Sequence, residues 1–149
     1  MNIKSNRGFT LIELVIVLLL IAILTIYVLS RTTTTPSLQG AVDGFKAQLR
    51  YAQHTALCGN ASMYTWSMTI GQSSYYFTQT NTVNSTSINV PLPGGDTTNS
   101  FPSGITSTWV GTITFDQWGS PGSASIVIPL TDGVTTTNVT ITKNTGFVT

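Results

Sequence analysis

The side chains with the most reactive chemistry are few in this chain. Its 149 residues include one histidine, His54, and one cysteine, Cys58. They stand four apart in a stretch of helical periodicity, so both fall on one helix face. A histidine and a thiolate are soft-metal donors, but a closed zinc site takes four ligands. The same pair read as base and nucleophile lacks a third group to orient the imidazole. Gly94-Gly95 lacks the lysine and hydroxyl of a phosphate-binding loop. Asp96, Asp116 and Asp132 are too scattered for a dense acidic calcium loop. The expectation is therefore no metal, no cofactor, no catalytic residue and no enzyme. Cys58, just after Ala56 and Leu57, reads as a buried small hydrophobe. Being single, it cannot staple the domain with an internal disulfide.

Glu13 poses a different chemical question. It is the sole glutamate, and it sits inside the apolar run FTLIELVIVLLLIAILTIYVL, residues 9–29. A carboxylate there costs several kcal/mol unless it is paired or reaches the headgroups. As a helix the run rises roughly 31 Å, enough for a bilayer core. The eight residues before it, MNIKSNRG, are polar and basic. A secretory signal would have a shorter apolar core ending in a small-x-small cleavage site. The end Tyr27-Val28-Leu29-Ser30-Arg31 offers none, so the apolar segment is expected to stay on the mature chain.

The rest of the chain must bury a core with very little charge. Charged residues make up 7 % of it and hydrophobic residues 41 %, against roughly 25 % charged in an ordinary domain. Uncharged Thr, Ser, Asn and Gln must supply the polar surface. The formal charge of +1 includes Lys4 and Arg7; without these two it becomes −1. No basic stripe remains, so nucleic acid is not a favoured partner.

Thr32–Pro36, β-branched residues before a proline, predicts a break in the helix. Ser37 is suited to cap a second helix. Leu38, Val42, Phe45, Leu49, Ala52 and Ala56 then recur with the period of an amphipathic helix over 37–58, with Asp43 and Lys46 able to pair on its outer face and Gly59-Asn60 as a stop. From Tyr64 the period becomes two. Tyr64, Trp66, Met68 and Ile70 alternate with polar residues, and Gly71-Gln72 turns the chain into a second strand at Ser74–Thr80. Residues 81–104 read as a long irregular loop with a strand-like piece at Ile88–Leu92. Further strands are expected at Thr112–Phe115, Ala124–Leu130, Asn138–Thr142 and Gly146–Val148, with turns at Asp116–Gly122 and Asp132-Gly133. Trp109, Trp118, Tyr75 and Tyr76 are candidates for a sugar- or protein-binding surface, though one or both tyrosines must face inward.

Gly8-Phe9-Thr10-Leu11-Ile12-Glu13, between a basic leader and an apolar run, closely resembles the class III signal of type IV pilins and type II secretion pseudopilins. The resemblance covers roughly the first 30 residues. It implies that a prepilin peptidase cuts after Gly8 and methylates the new amino group of Phe9. It also implies that Glu13 meets the N-terminal amine of a neighbouring subunit during assembly, which would relieve two desolvation costs at once. A weaker resemblance lies in Phe115-Asp116-Gln117-Trp118-Gly119-Ser120-Pro121 and in Thr145-Gly146-Phe147-Val148. These segments look like the C-terminal domain of H-type minor pseudopilins and related minor pilins. In contrast to many major pilins, the chain has no C-terminal cysteine pair, and position 30 is Ser rather than a kinking proline.

The expected fold is α+β and pilin-like: a long N-terminal hydrophobic helix whose C-terminal amphipathic half packs on a small antiparallel β-sheet or β-sandwich-like domain. The expected organisation is a leader peptide at 1–8, a transmembrane and filament-core helix at 9–30, and a globular domain at 37–149, β-rich over 64–149. The implied function is that of a minor pilin or minor pseudopilin of a type IV pilus or type II secretion system. Its partners would be prepilin peptidase, other pilin or pseudopilin subunits, and the bacterial inner membrane before assembly, with the globular domain periplasmic. The alternative is a binding module at a filament surface or tip, an adhesin or DNA-uptake receptor.

Overall fold

The computed structural model describes residues 10–32, 37–60 and 62–149, with side chains of 26–32 left out. The protein is α+β and divides into two compact units, Met1–Thr35 and Pro36–Thr149. The break expected at Thr32–Pro36 falls, apart from Thr32, outside the described residues.

The first unit contributes helix α1, Leu11–Thr32, of 22 residues. Among the described residues no helix is long and apolar enough to cross a membrane.

The second unit begins with helix α2, Leu38–Cys58. Ser37 caps it, its hydroxyl accepting from the Gly40 N–H at 3.1 Å, which satisfies one otherwise orphaned amide of the first turn. The predicted stripe is the buried face: Val42, Phe45, Leu49, Ala52 and Ala56 are buried together with Ala41, and Leu38 is half-buried. Asp43 does not pair with Lys46 as expected. It accepts instead from the Gln39 amide, one turn back, at 3.1 Å.

Eight strands follow. β1 (Tyr64–Ile70) and β2 (Ser74–Asn81) form the expected hairpin, closed by the Gly71 N–H on the Ser74 carbonyl at 2.8 Å. β6 (Gly111–Phe115) pairs with the other edge of β1. β3 (Ser87–Val90) and β4 (Asn99–Ser100) share the outer edge of β2. The resulting five-stranded antiparallel sheet has the order β3-β2-β1-β6 with β4 beside β2. A second, three-stranded sheet has β7 (Ile126–Thr131) between β5 (Thr106–Ser107) and β8 (Thr136–Ile141). Helix α2 packs on β1 of the first sheet and on β7 and β8 of the second.

The alternation in β1 decides which face is inside. Trp66, Met68 and Ile70 are buried, as are Tyr75 and Phe77 opposite them. Phe45 of α2 meets the edges of Tyr75 and Phe101 at centroid distances of 5.0 and 5.3 Å. Trp66 stacks on Phe77 at 5.4 Å. The outer face answers the charge question, because hydroxyl pairs replace ion pairs: Thr69 with Thr112 at 3.0 Å and Thr80 with Ser87 at 2.9 Å.

Three further expectations need correction. Gly146–Val148 is not a strand: only Val148 bridges Ile141, because Gly146 is left-handed at φ 66° and breaks the extended run. The 81–104 segment is more ordered than its turn residues suggest. It carries β3 and β4, and it buries Leu92 and Phe101. Cys58 is exposed: the buried face of α2 ends at Ala56, and two residues further on a helix point away from it.

Candidate functional site

The far end of α2 gathers most of the unusual chemistry of the second unit. His54 and Cys58 do meet, with Cys58 Sγ 3.7 Å from His54 Nε2 and 3.9 Å from Nδ1. Both are exposed. Among the described residues no third His, Cys, Asp or Glu joins them as a metal ligand. A two-donor pair open to water lacks the enclosure a resident ion needs.

One residue back, Gln53 does structural work that its sequence context did not reveal. Its amide nitrogen donates to the Gly119 carbonyl and to the Thr145 carbonyl, both at 3.1 Å. It thereby ties the β6–β7 turn and the C-terminal segment to α2. Gly119 and Gly146 are both left-handed, at φ 71° and 66°. A Cβ on Gly146 would collide with the Gly119 carbonyl and with the Gln53 amide. The only sequence signal for this junction was a pair of glycines in separate turns. Arg50 adds a parallel tie, its guanidinium donating to the Val148 carbonyl at 3.0 Å.

The Asp116–Gly122 turn is held from within. The Asp116 carboxylate accepts from the Trp118 and Ser120 N–H groups, each at 2.8 Å. Trp118 projects from this turn and is 71 % exposed. The other aromatic candidates do not join it. Tyr75 is in the core, where desolvation raises its phenol pKa above the ordinary 10.0. Trp109 packs against the core, covering Gly111, and Tyr76 is half-buried. Asp132 organises its own turn, accepting from Val134 N–H at 2.9 Å and Thr135 N–H at 2.7 Å. These bonds favour the carboxylate and lower its pKa.

In the first unit, Glu13 occupies the first turn of α1. Its N–H donates to the Thr10 hydroxyl at 3.3 Å. Thr10-Leu11-Ile12-Glu13 thus has the T-x-x-E spacing of a capping box, with the threonine half formed. The spacing is visible in the sequence and accounts for where α1 starts. From Leu11 to Leu24 every large apolar side chain is 45–83 % exposed. A helix apolar all round is at home only among other apolar groups, in lipid or in a bundle of helices. Gly8 and Phe9 lie outside the described residues.

Residues 3–29 match the family model described as the prokaryotic N-terminal methylation motif. The chain carries a prepilin-type methylation signal. This is the signal of type IV pilins and pseudopilins, and it supports a pilin-like precursor. It implies processing by a prepilin peptidase, with cleavage and methylation, and assembly with other pilins. It points to a structural subunit rather than an enzyme and to a membrane-anchored form that precedes the pilus. The match ends before α2, so it is silent on the β-rich unit. No curated protein and no solved structure matches the chain.

Proposed function

We propose that the chain is a minor pilin or minor pseudopilin of a type IV pilus or type II secretion system. In this reading residues 1–8 are a leader removed after Gly8, and Phe9 becomes the methylated N-terminus. Residues 9–30 hold the subunit in the bacterial inner membrane and later pack in the filament core. Residues 37–149 form the periplasmic, then outward-facing, domain. The observation that carries the reading is a methylation signal on a helix whose apolar side chains are exposed on every side. Exposed apolar surface of that extent is unfavourable in water at roughly 25 cal/mol per Å², so the helix requires lipid or sister helices.

Glu13 is the assembly residue. Its carboxylate, one turn from the new amine at Phe9, pairs with the amine of a neighbouring subunit and fixes the axial register of packing. The weaker sequence likeness to H-type minor pseudopilins supports the minor role. The test is intact mass and N-terminal sequencing of the chain expressed with and without a prepilin peptidase. The expected product begins at methylated Phe9 only when the peptidase is present. A chain starting at Met1 in both cases, or cut beyond Leu29, would overturn the reading.

A further inference from the structure

We infer that the corner where α2 gives way to β1 is a binding site for a neutral carbohydrate, with Trp118 as its stacking platform. The inference does not depend on filament assembly.

A depression of about 410 Å³ opens at this corner, lined by Leu57, Gly59, Asn60, Ser62, Gln117 and Trp118. It is shallow, open to solvent and lined by more polar than apolar surface, unlike the enclosed apolar cleft of a typical small-molecule site. None of the lining residues is charged. A phosphate, a nucleic acid or an acidic glycan would find no cation there, and a basic ligand no carboxylate. The polar groups present are amides and a hydroxyl, which exchange hydrogen bonds with hydroxyl-rich ligands in either direction. Asn60 is already oriented. Its Oδ1 accepts from the Ser62 hydroxyl at 2.6 Å and from the Ser62 N–H at 3.2 Å, which leaves Nδ2 as its outward donor. Gln117 is exposed beside it and brings a second amide.

Trp118 supplies the apolar component. An indole 71 % exposed contributes little to the core, yet its backbone is pinned by the Asp116 carboxylate, and the turn is pinned to α2 through Gln53. A large aromatic with only two rotatable side-chain angles is thus presented to solvent from a fixed backbone, which keeps the entropy cost of binding low. Its flat face suits the C–H face of a pyranose ring, while the surrounding amides suit the equatorial hydroxyls. A protein partner of ordinary stability would need about 800 Å² on this side, and one indole with Leu57 is a small apolar nucleus for that.

The test uses the full-length chain in a zwitterionic phosphocholine detergent, because maltoside and glucoside detergents would themselves offer sugar rings. Tryptophan fluorescence is followed during titration with triacetylchitotriose, cellotriose or lactose, with glycerol as the control for viscosity. Trp66 is buried and Trp109 packs on the core, so a ligand-dependent blue shift belongs to Trp118. The expected result is saturable binding of at least one sugar, with a dissociation constant on the order of 1 mM. Trp118→Ala should weaken it at least tenfold, and isothermal calorimetry reads this where the fluorophore is gone. Gln117→Ala should weaken it severalfold, with unchanged thermal unfolding in both variants, and Trp118→Phe should retain part of it. No saturable binding of any of the three sugars, or binding indifferent to Trp118→Ala, overturns the inference. So does the absence of sugar binding together with a loss of filament incorporation by Trp118→Ala, an outcome that reassigns the corner to a contact between subunits.

Discussion

Replacing Gln53 by alanine removes two hydrogen bonds with one atom, since its amide nitrogen holds both the Gly119 and the Thr145 carbonyls at 3.1 Å. A net contribution of about 0.5–1.5 kcal/mol per bond applies. The bond to Gly119 is partly buried and belongs near the upper end, whereas the bond to Thr145 is exposed and belongs near the lower. The expected destabilisation is about 2 kcal/mol, or a fall in Tm of roughly 8 °C for a unit of this size. Gly146→Ala attacks the same junction from the other side. Its left-handed backbone at φ 66° costs an alanine about 1–2 kcal/mol. The new Cβ would also run into the Gly119 backbone, which has no flexible end to yield. A total of about 3 kcal/mol or more is expected. Once the turn has been displaced, Gln53 has less to lose, so the double variant should be less destabilised than the two singles combined. The assay is urea and thermal unfolding of the Pro36–Thr149 unit by circular dichroism. A Gln53→Ala effect below about 0.5 kcal/mol, or strict additivity with Gly146→Ala, would refute the idea that this amide clamps the C-terminal segment to α2.

Phe45→Ala should cost about 3–5 kcal/mol, because Phe45 is 1 % exposed and is the helix's contact with Tyr75 and Phe101; denaturant unfolding of the same unit reads it, and a loss under 1 kcal/mol would place the helix–sheet contact elsewhere. Asp132 is stabilised as a carboxylate, so its turn should be fully held above the ordinary pKa of 3.8 and loosen only as pH falls through a lower value; the Val134 and Thr135 amide resonances should titrate with that lowered midpoint, and a midpoint above 3.8 would contradict the hydrogen-bond assignment. Tyr75 works in the opposite sense. Burial raises its pKa, so its contribution is present below pH 10.0 and disappears as pH rises through the higher folded value, which ultraviolet titration of the phenol would follow. Glu13→Gln should still be cleaved and methylated but fail to enter the filament, as judged by immunoblots of sheared fibres; normal incorporation would remove the pairing role.

Much of the second unit was legible because its periods are clean. The stripe from Leu38 to Ala56 repeats with helical spacing, and α2 buries that stripe. Tyr64 to Ile70 alternates strictly, and β1 spans those residues. Where propensity and tertiary contact disagreed, the sequence misled. Asn99–Ser100 and Thr106–Ser107 have no pattern of their own; each pairs only because β2 or β7 presents an open edge. Val148 looked like part of a strand, but one left-handed glycine reduced that strand to a bridge. Cys58 was misjudged by residue type, whereas its rotation about the helix axis set its exposure.

The candidate sites divide along the same line. The methylation signal at residues 3–29 is a local property. Leader charge, glycine, apolar run and glutamate lie in one short stretch, and an enzyme that reads such a stretch needs no fold beyond it. The corner around Trp118 is a tertiary property. It joins Leu57 and Asn60 at the end of a helix to Gln117 and Trp118 in a turn more than fifty residues later. No period or spacing encodes that meeting. It follows from α2 lying across both sheets and from Gln53 drawing the β6–β7 turn onto its last turns. Short-range order is written in neighbouring residues, whereas the position of a side chain in space depends on how distant faces pack.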